Sequence, residues 1–254
     1  MANNVFGSPV TDEVVSTVYP TLLPNQITAR HRAEVAFLYR NANGRVDNVT
    51  TYVHNLKGAY GDGTSTLCKV FNATGGPVRF SRSHTWEGSV WRSPYPQIIQ
   101  NGQWGGFLHV RSRLAGPSKE AAVYSGVNND GQDRGWMICW NTRRMNRANA
   151  VYSEVRTTAH FATANWEYMN QRMKQRLHYH SDTWGGGLTM ISVGTGSSPE
   201  LVATLTLDGL EGRFMEMASE VVMAGLPSLN SRYVDEVDEA SLAADEAALS
   251  DDDE

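Results

Sequence analysis

The chain has 254 residues, 41% of them apolar and 19% charged, with a formal net charge of −5. That is ordinary for a soluble globular protein, and the length allows one large domain or two small ones with a core that needs no disulfide or metal. No stretch reaches the ~18 continuous apolar residues of a membrane span. The start, MANNVFGSPVTDEVV, has no basic region leading into an apolar one, and Ala2 stands where myristoylation needs a glycine. Both features argue against a secretory signal or a lipid anchor there. The expected location is the cytosol, with the nucleus reachable by diffusion.

The first 60 residues read as helical. Thr11 and Asp12 suit the cap of a short helix holding Val14, Val15 and Val18. Pro20 and Pro24 interrupt, and Ile27 to Tyr39 predicts a longer helix with Gly44 as its stop. Val49, Tyr52, Val53, Leu56 and Tyr60 recur at helical spacing, with Asp47 or Asn48 as the cap. The run GDGTS at 61–65 breaks the pattern.

From Ser65 the texture becomes that of strands. STLCKVFNAT, PVRFSRSHTW, FLHVRSR, EAAVYSGV, GWMICWNT and AVYSEVRT are short and rich in Val, Thr and aromatics, and Gly, Pro or Asn clusters separate most of them. Val78 and Phe80 alternate with Arg79 and Ser81, and Leu108 and Val110 with His109 and Arg111. Period two with one polar face predicts an antiparallel sheet, and the spacing of the strands predicts a β-sandwich or barrel. Ile98-Ile99, Asn101-Gly102 and FLHV read as a hairpin, with Asn-Gly as its two-residue turn. Residues 163–178 predict an inserted helix with Trp166, Met169, Met173 and Leu177 on one stripe. TWGGGLTMISVG and ELVATLTL resume the strands, and LEGRFMEMASEVVMAGL predicts a last helix. The fold class is therefore mainly β: an antiparallel sandwich of residues 65–234, decorated by residues 1–64 in the same domain. Residues 235–254 hold ten Asp or Glu and no Lys or Arg, which leaves 17 acidic and 22 basic residues in 1–234. Such a tail reads as disordered and solubilising, or as a screen over a basic surface. Ser250, followed by four acids, is a candidate modification site.

Phosphate-loop, zinc-protease and nucleophile-elbow patterns are absent, and no cofactor is implied. Cys68 and Cys139 sit in apolar runs and read as buried free thiols. Asn48-Val-Thr50 and Asn72-Ala-Thr74 match the glycosylation pattern, which means little without secretion. On a strand, His178, His180 and Asp182 would share a face and could ligate zinc or iron. The favoured reading of that stretch is an exposed cap at a helix end. Basic residues recur at Arg143, Arg144 and Arg147 and at Arg172, Lys174 and Arg176. Without an aromatic RNA-binding motif they read as solvated faces rather than a nucleic-acid surface. The stronger signal is aromatic. Trp86, Trp91, Arg92, Tyr95, Trp104 and Trp184 are candidate ligand-binding residues, since indoles on loops suit sugars, choline or a lipid headgroup layer. Trp136 and Trp140 lie on one strand face and read as core.

The run Ser93-Pro-Tyr-Pro96 through Asn101-Gly-Gln-Trp-Gly105 and Phe107-Leu-His-Val110 resembles the plant jasmonate-induced proteins of about 23 kilodaltons (a size that is part of the family's usual name). So do Val5-Phe-Gly-Ser-Pro9, Leu67-Cys68 before Val70-Phe-Asn-Ala-Thr74, Asp133-Arg-Gly-Trp136 and Ser181-Asp-Thr-Trp184. A remoter likeness, at the level of fold, is to the β-sandwich lipid binders of the actinoporin and nakanori kind. The resemblance implies a stress-associated, non-catalytic protein that recognises a lipid headgroup or glycan through aromatic loops. It supplies no catalytic residues. The competing readings are an enzyme using His84, His109 or His180 as acid or base, and a ligand-free structural or storage-like protein. Oligomeric state is not legible.

Overall fold

The computed structural model describes residues 4–112, 116–144, 148–175 and 177–210. Its strands are β1 (Val5–Phe6), β2 (Ser65–Ala73), β3 (Val78–Glu87), β4 (Ser89–Val90), β5 (Ile98–Ile99), β6 (Trp104–Val110), β7 (Ser118–Val127), β8 (Asp133–Thr142), β9 (Ala150–Arg156), β10 (Tyr179–Trp184), β11 (Gly187–Val193) and β12 (Glu200–Leu207). Helices α1 (Asp12–Val18), α2 (Ala29–Leu38) and α3 (Arg45–Tyr60) precede β2, and α4 (Trp166–Arg172) lies between β9 and β10. One sheet runs β1-β6-β2-β12-β11-β10 with β4 also on β6; the other runs β5-β3-β7-β8-β9. Pairing is antiparallel throughout except between β12 and β2, which run parallel. The expected mainly β, two-sheet architecture with N-terminal helices and an inserted helix is what the chain adopts.

The sheets close on an apolar interior. Cys68, Val70, Phe107, Ile191, Leu201 and Leu205 from one meet Tyr124, Trp136, Ile138, Trp140, Val151 and Val155 from the other. Both cysteines are free and buried. The outer faces are covered as well. Val35, Ala36, Phe37 and Val49 of α2 and α3 pack on Phe71, Ala73 and Trp104. Val53 of α3 packs on Leu67, Leu108 and Val110. Met169 of α4 and Met173 cover Met137, Cys139 and Tyr152.

This layering corrects the two-faced reading of FLHVRSR. Leu108 and Val110 face the helix layer, Phe107 faces the interior, and His109 is wholly buried. The alternation is present, but a helix layer buries the second face, so neither side of β6 meets water.

The expected hairpin is also replaced. Ile98 and Ile99 pair with Arg79 and Val78 in one sheet, whereas β6 pairs with β2 in the other. Gln103 N–H donates to Gln100 O across the turn, and Gly102 alone of the central pair has positive φ, +81°. That is the pattern of a type II turn, not the type I′ turn with two positive φ values that joins hairpin strands. The Asn101 side chain instead ties the crossing to other segments, accepting from Gly75 N–H and donating to the Val10 and Arg32 carbonyls.

Three helix boundaries move. Gly44, at φ +64°, caps the start of α3 rather than stopping α2. Helix α3 therefore begins at Arg45, before the expected Asp47 or Asn48 cap. Helix α4 ends at Arg172 and passes through a 3₁₀ turn (Met173–Gln175), leaving Leu177 exposed outside it. The expected helix after Leu210 and the acidic tail with Ser250 lie outside the described residues. Asn72 is buried, donating to the Gly76 and Ile99 carbonyls, so its glycosylation pattern is closed; Asn48 is exposed on α3.

Gly75 shows how tightly helix and sheet meet. It sits at φ +79°, and a Cβ there would lie 2.0 Å from the Ala29 carbonyl oxygen. Gly75→Ala is expected to cost more than about 2 kcal/mol, from left-handed strain and the clash together. A chemical denaturation midpoint equal to that of the parent would contradict this.

Candidate functional site

The short segment between β4 and β5 leaves the sheet and returns through a strained turn. Trp91 N–H still donates to Leu108 O at 2.9 Å, extending the β4 pairing. Ser93 N–H then donates to Trp91 O at 2.7 Å, and Arg92 between them has φ +53°. A tight i to i+2 bond around a non-glycine residue with positive φ persists only where the surroundings hold it. Here they do. Tyr52 OH and Ser93 Oγ are 2.6 Å apart. Asn4 Nδ2 donates to Pro94 O at 2.8 Å. Tyr95 OH donates to Glu120 Oε1 at 2.5 Å.

The result is an exposed guanidinium fixed over an indole. Arg92 Cζ lies 4.7 Å from the Trp91 ring centre, the Tyr60 and Trp91 rings form a T-shaped pair with centres 5.6 Å apart, and Lys57 Nζ lies 5.3 Å from the Tyr60 ring centre. Lys57 also donates to the Gly61 and Gly63 carbonyls. Burial lowers its pKa and Asp62 raises it, for a net shift downward. Arg111, Arg143 and Arg144 follow the strands that finish at this end, against Asp62 and Glu87. Leu177 and Tyr179, both exposed, enter β10 at the same end. The rim is therefore cationic, with apolar and aromatic groups among the charges.

Beneath the turn lies a sealed polar cluster. His109 Nε2 sits 2.5 Å from Glu120 Oε2, a fully buried contact. His109 Nδ1 is 2.8 Å from Ser118 Oγ, which lies 2.7 Å from Thr66 Oγ1 and accepts from Trp140 Nε1 at 3.3 Å. Burial alone would raise the Glu120 pKa, but contact with His109 and hydrogen bonds from Tyr95 and Ser83 outweigh it and hold it below the usual carboxylate range. Burial, then the Glu120 charge, pushes the Tyr95 phenol far up, so Tyr95 stays a donor. Ser118, His109 and Glu120 have the order of a nucleophile, a base and an acid. All three side chains are buried, and the cluster works as an anchor for the turn.

The remaining candidates separate. Trp104 is buried under the helices and donates its indole N–H to Arg40 O at 2.9 Å. Tyr95 is the buried anchor just described. Trp86 lies on the outer face of the second sheet, edge-on to His84, which stacks on Trp166 at 4.7 Å and 2°. Burial lowers the His84 pKa, opposed by the Glu120 charge. Trp184 is exposed at the β10–β11 turn, at the opposite end from Trp91. The expected helix-end cap at 178–182 is strand β10 instead. His180 Nδ1 lies 3.0 Å from Ser153 Oγ, His178 Nδ1 lies 3.1 Å from Val193 O, and Asp182 accepts from Val155 N–H and Arg156. Burial lowers the His180 pKa, opposed first by Asp182. Among the described residues no cluster of three His, Cys, Asp or Glu side chains is placed to hold a metal.

Of the residues gathered at this turn, Trp91, Arg92 and Tyr95 were candidates from the sequence, whereas Tyr60, Lys57 and Glu120 were not. The helical stripe ending at Tyr60 gave a signal for packing alone, and nothing local marks Glu120 as the partner of Tyr95.

Two sheets clad in helices, with an aromatic and cationic rim at one end, make this a helix-covered β-sandwich protein. The chain belongs to the Nakanori-like protein family, whose model matches residues 6–207. It is 34% identical over 202 residues to a 23 kDa jasmonate-induced protein of Hordeum vulgare, spanning 78% of this chain and 95% of that relative. A jasmonate-induced protein homolog of Atriplex canescens is 29% identical over 112 residues, 43% of this chain and 60% of that one. The crystal structure of the lipid binding protein Nakanori has the same fold, with a TM-score of 0.70 at 22% identity, covering 79% of this chain and 98% of its own. The resemblance read from the sequence therefore holds. Among the described residues no helix is long and apolar enough to cross a membrane.

Proposed function

We propose that this is a stress-associated, non-catalytic protein that binds lipid surfaces peripherally, with the Trp91–Arg92 turn seated at a headgroup phosphate. The observation that carries the reading is Arg92, held at positive φ with its guanidinium over Trp91. Strain of this kind costs on the order of 1–3 kcal/mol and is concentrated at ligand sites. Arg92 would pair with the phosphate, Lys57, Arg111, Arg143 and Arg144 would add field, and Trp91, Tyr60 and Tyr179 would sit among headgroups. The family membership and the names of the relatives, one a lipid binding protein and two jasmonate-induced, agree with this reading.

Sedimentation with phosphatidylcholine, sphingomyelin and phosphatidylserine vesicles tests it. Binding is expected, weakening as salt rises, because the rim is cationic. Trp91→Ala and Arg92→Ala are each expected to reduce it by about tenfold, the loss of one partly desolvated cation–π or charge contact. Failure to sediment with any vesicle, or unchanged binding by both variants, would sink the proposal.

A further inference from the structure

We infer a second ligand site, for an acidic sugar, at the Trp184 end of the sandwich. It is independent of the lipid reading and shares no residue with it.

The β10–β11 turn is built around one exposed indole. Gly185 and Gly186 both have left-handed φ, +55° and +79°, and a Cβ on Gly185 would lie 2.7 Å from Arg134 Nε. The tip is therefore pressed onto Arg134, whose Nε donates to Gly185 O at 2.6 Å. Asn128 Nδ2 donates to the same carbonyl at 2.9 Å, and its own Oδ1 accepts from the backbone N–H of Asp130 and Gln132. Trp184 is thus presented on a fixed frame, 41% exposed. The Arg134 guanidinium lies 5.0 Å and that of Arg156 5.9 Å from its ring centre.

Of the two arginines in this frame, only Arg156 is directly ion-paired among the described residues. Arg156 pairs with Asp182 at 2.9 Å. Arg134 is only 7% exposed, yet its partners are neutral: the carbonyls of Gly185 and Asp133 and the side-chain oxygen of Gln132. The nearby Asp133 carboxylate is occupied by the Thr158 N–H and hydroxyl. No carboxylate pairs with Arg134 among the described residues. A guanidinium withdrawn from water without a counter-charge is costly, so an incoming carboxylate recovers what the fold leaves unmatched.

The neighbours of Trp184 select the ligand. An isolated indole ringed by guanidinium and amide groups suits a ring with an apolar face and many hydroxyls, carrying an acid group. An acyl-chain layer would instead meet Arg134, Arg156, Asn128 and Gln132 at its surface. A uronic-acid unit meets both demands: its ring stacks on Trp184 and its carboxylate faces the guanidinium pair.

The test uses the full chain, a uronic-acid hexasaccharide, its neutral methyl ester and free sulfate, read by calorimetry and tryptophan fluorescence. The acid oligosaccharide is expected to bind, and the methyl ester to bind about tenfold more weakly. Trp184→Ala is expected to remove about tenfold or more of the affinity, and Trp184→Phe to restore part of it. Arg156→Gln tests the charge without touching the buried Arg134. Vesicle binding should be the same in Trp184→Ala as in the parent, and oligosaccharide binding the same in Arg92→Ala. No binding of the acid oligosaccharide would overturn the site. So would binding that Trp184→Ala leaves intact, or binding that free sulfate displaces at equal charge concentration, since either would show a general anion contact.

Discussion

Trp104→Ala is expected to remove about 3–5 kcal/mol of folding stability, the usual cost of deleting a buried Trp side chain. The ring is 1% exposed, meets Phe71 at 4.9 Å, lies 5.2 Å from the Arg40 guanidinium and donates its N–H to the Arg40 carbonyl. Its removal opens a cavity where α2, α3 and the first sheet meet and leaves that carbonyl short of a donor. Denaturant unfolding followed by circular dichroism checks the size of the loss. Trp184→Ala is the control, since an exposed position away from the core should change stability by only about 0.5 kcal/mol. A loss under about 1 kcal/mol for Trp104→Ala would mean that the indole is not part of the core. The comparison also separates two tryptophans that composition alone treats alike.

Glu120 should be the most costly polar position. Glu120→Ala leaves the Tyr95 hydroxyl and His109 Nε2 facing a buried void, and breaking a buried charged contact on one side typically costs about 3–5 kcal/mol. Glu120→Gln keeps the shape and isolates the charge. The carboxyl titrates below its ordinary value in the folded chain, because the His109, Tyr95 and Ser83 contacts outweigh burial. Its contribution is therefore complete above the unfolded value, near pH 4.5, and is lost as the pH falls through the lower folded value. As the pH falls below about 4.5 the parent should lose stability more steeply than Glu120→Gln, so the two curves converge in acid. A constant gap across that range would show that the carboxylate charge contributes nothing. Because Tyr95 ties Glu120 to the strained turn, the Gln variant also tests whether the sealed cluster positions Trp91 and Arg92.

The two proposed surfaces sit at opposite ends of one sandwich. One carries several cations with exposed Tyr179 and Leu177, and the other carries a single indole among guanidinium and amide groups. A protein with this arrangement could hold a lipid surface at one end and an acidic glycan at the other. The variants named above read the two ends separately.

Residue pattern alone specified the class of fold, the N-terminal helices, most of the strands and the family. The elements rest on local periodicity, with Val49, Val53 and Leu56 at helical spacing and short β-branched runs between Gly and Asn breaks, whereas the family rests on the resemblance of motifs such as Ser93-Pro-Tyr-Pro96 to known sequences. Pattern also placed Trp136 and Trp140 in the core and both cysteines as buried thiols. Which of the other aromatic residues face water was settled by tertiary packing. Alternation in FLHV marks two faces of a strand, but whether the second face meets solvent depends on α3, more than 40 residues away in the chain. The Asn101-Gly102 turn signalled a reversal, but which strand each arm pairs with is fixed by contacts with Val78 and Phe71 in different sheets. The turn at Arg92 has no local signature either. Its positive φ is imposed by Asn4, Tyr52 and Glu120, three residues from three distant segments, and such over-determination arises only when the chain is folded.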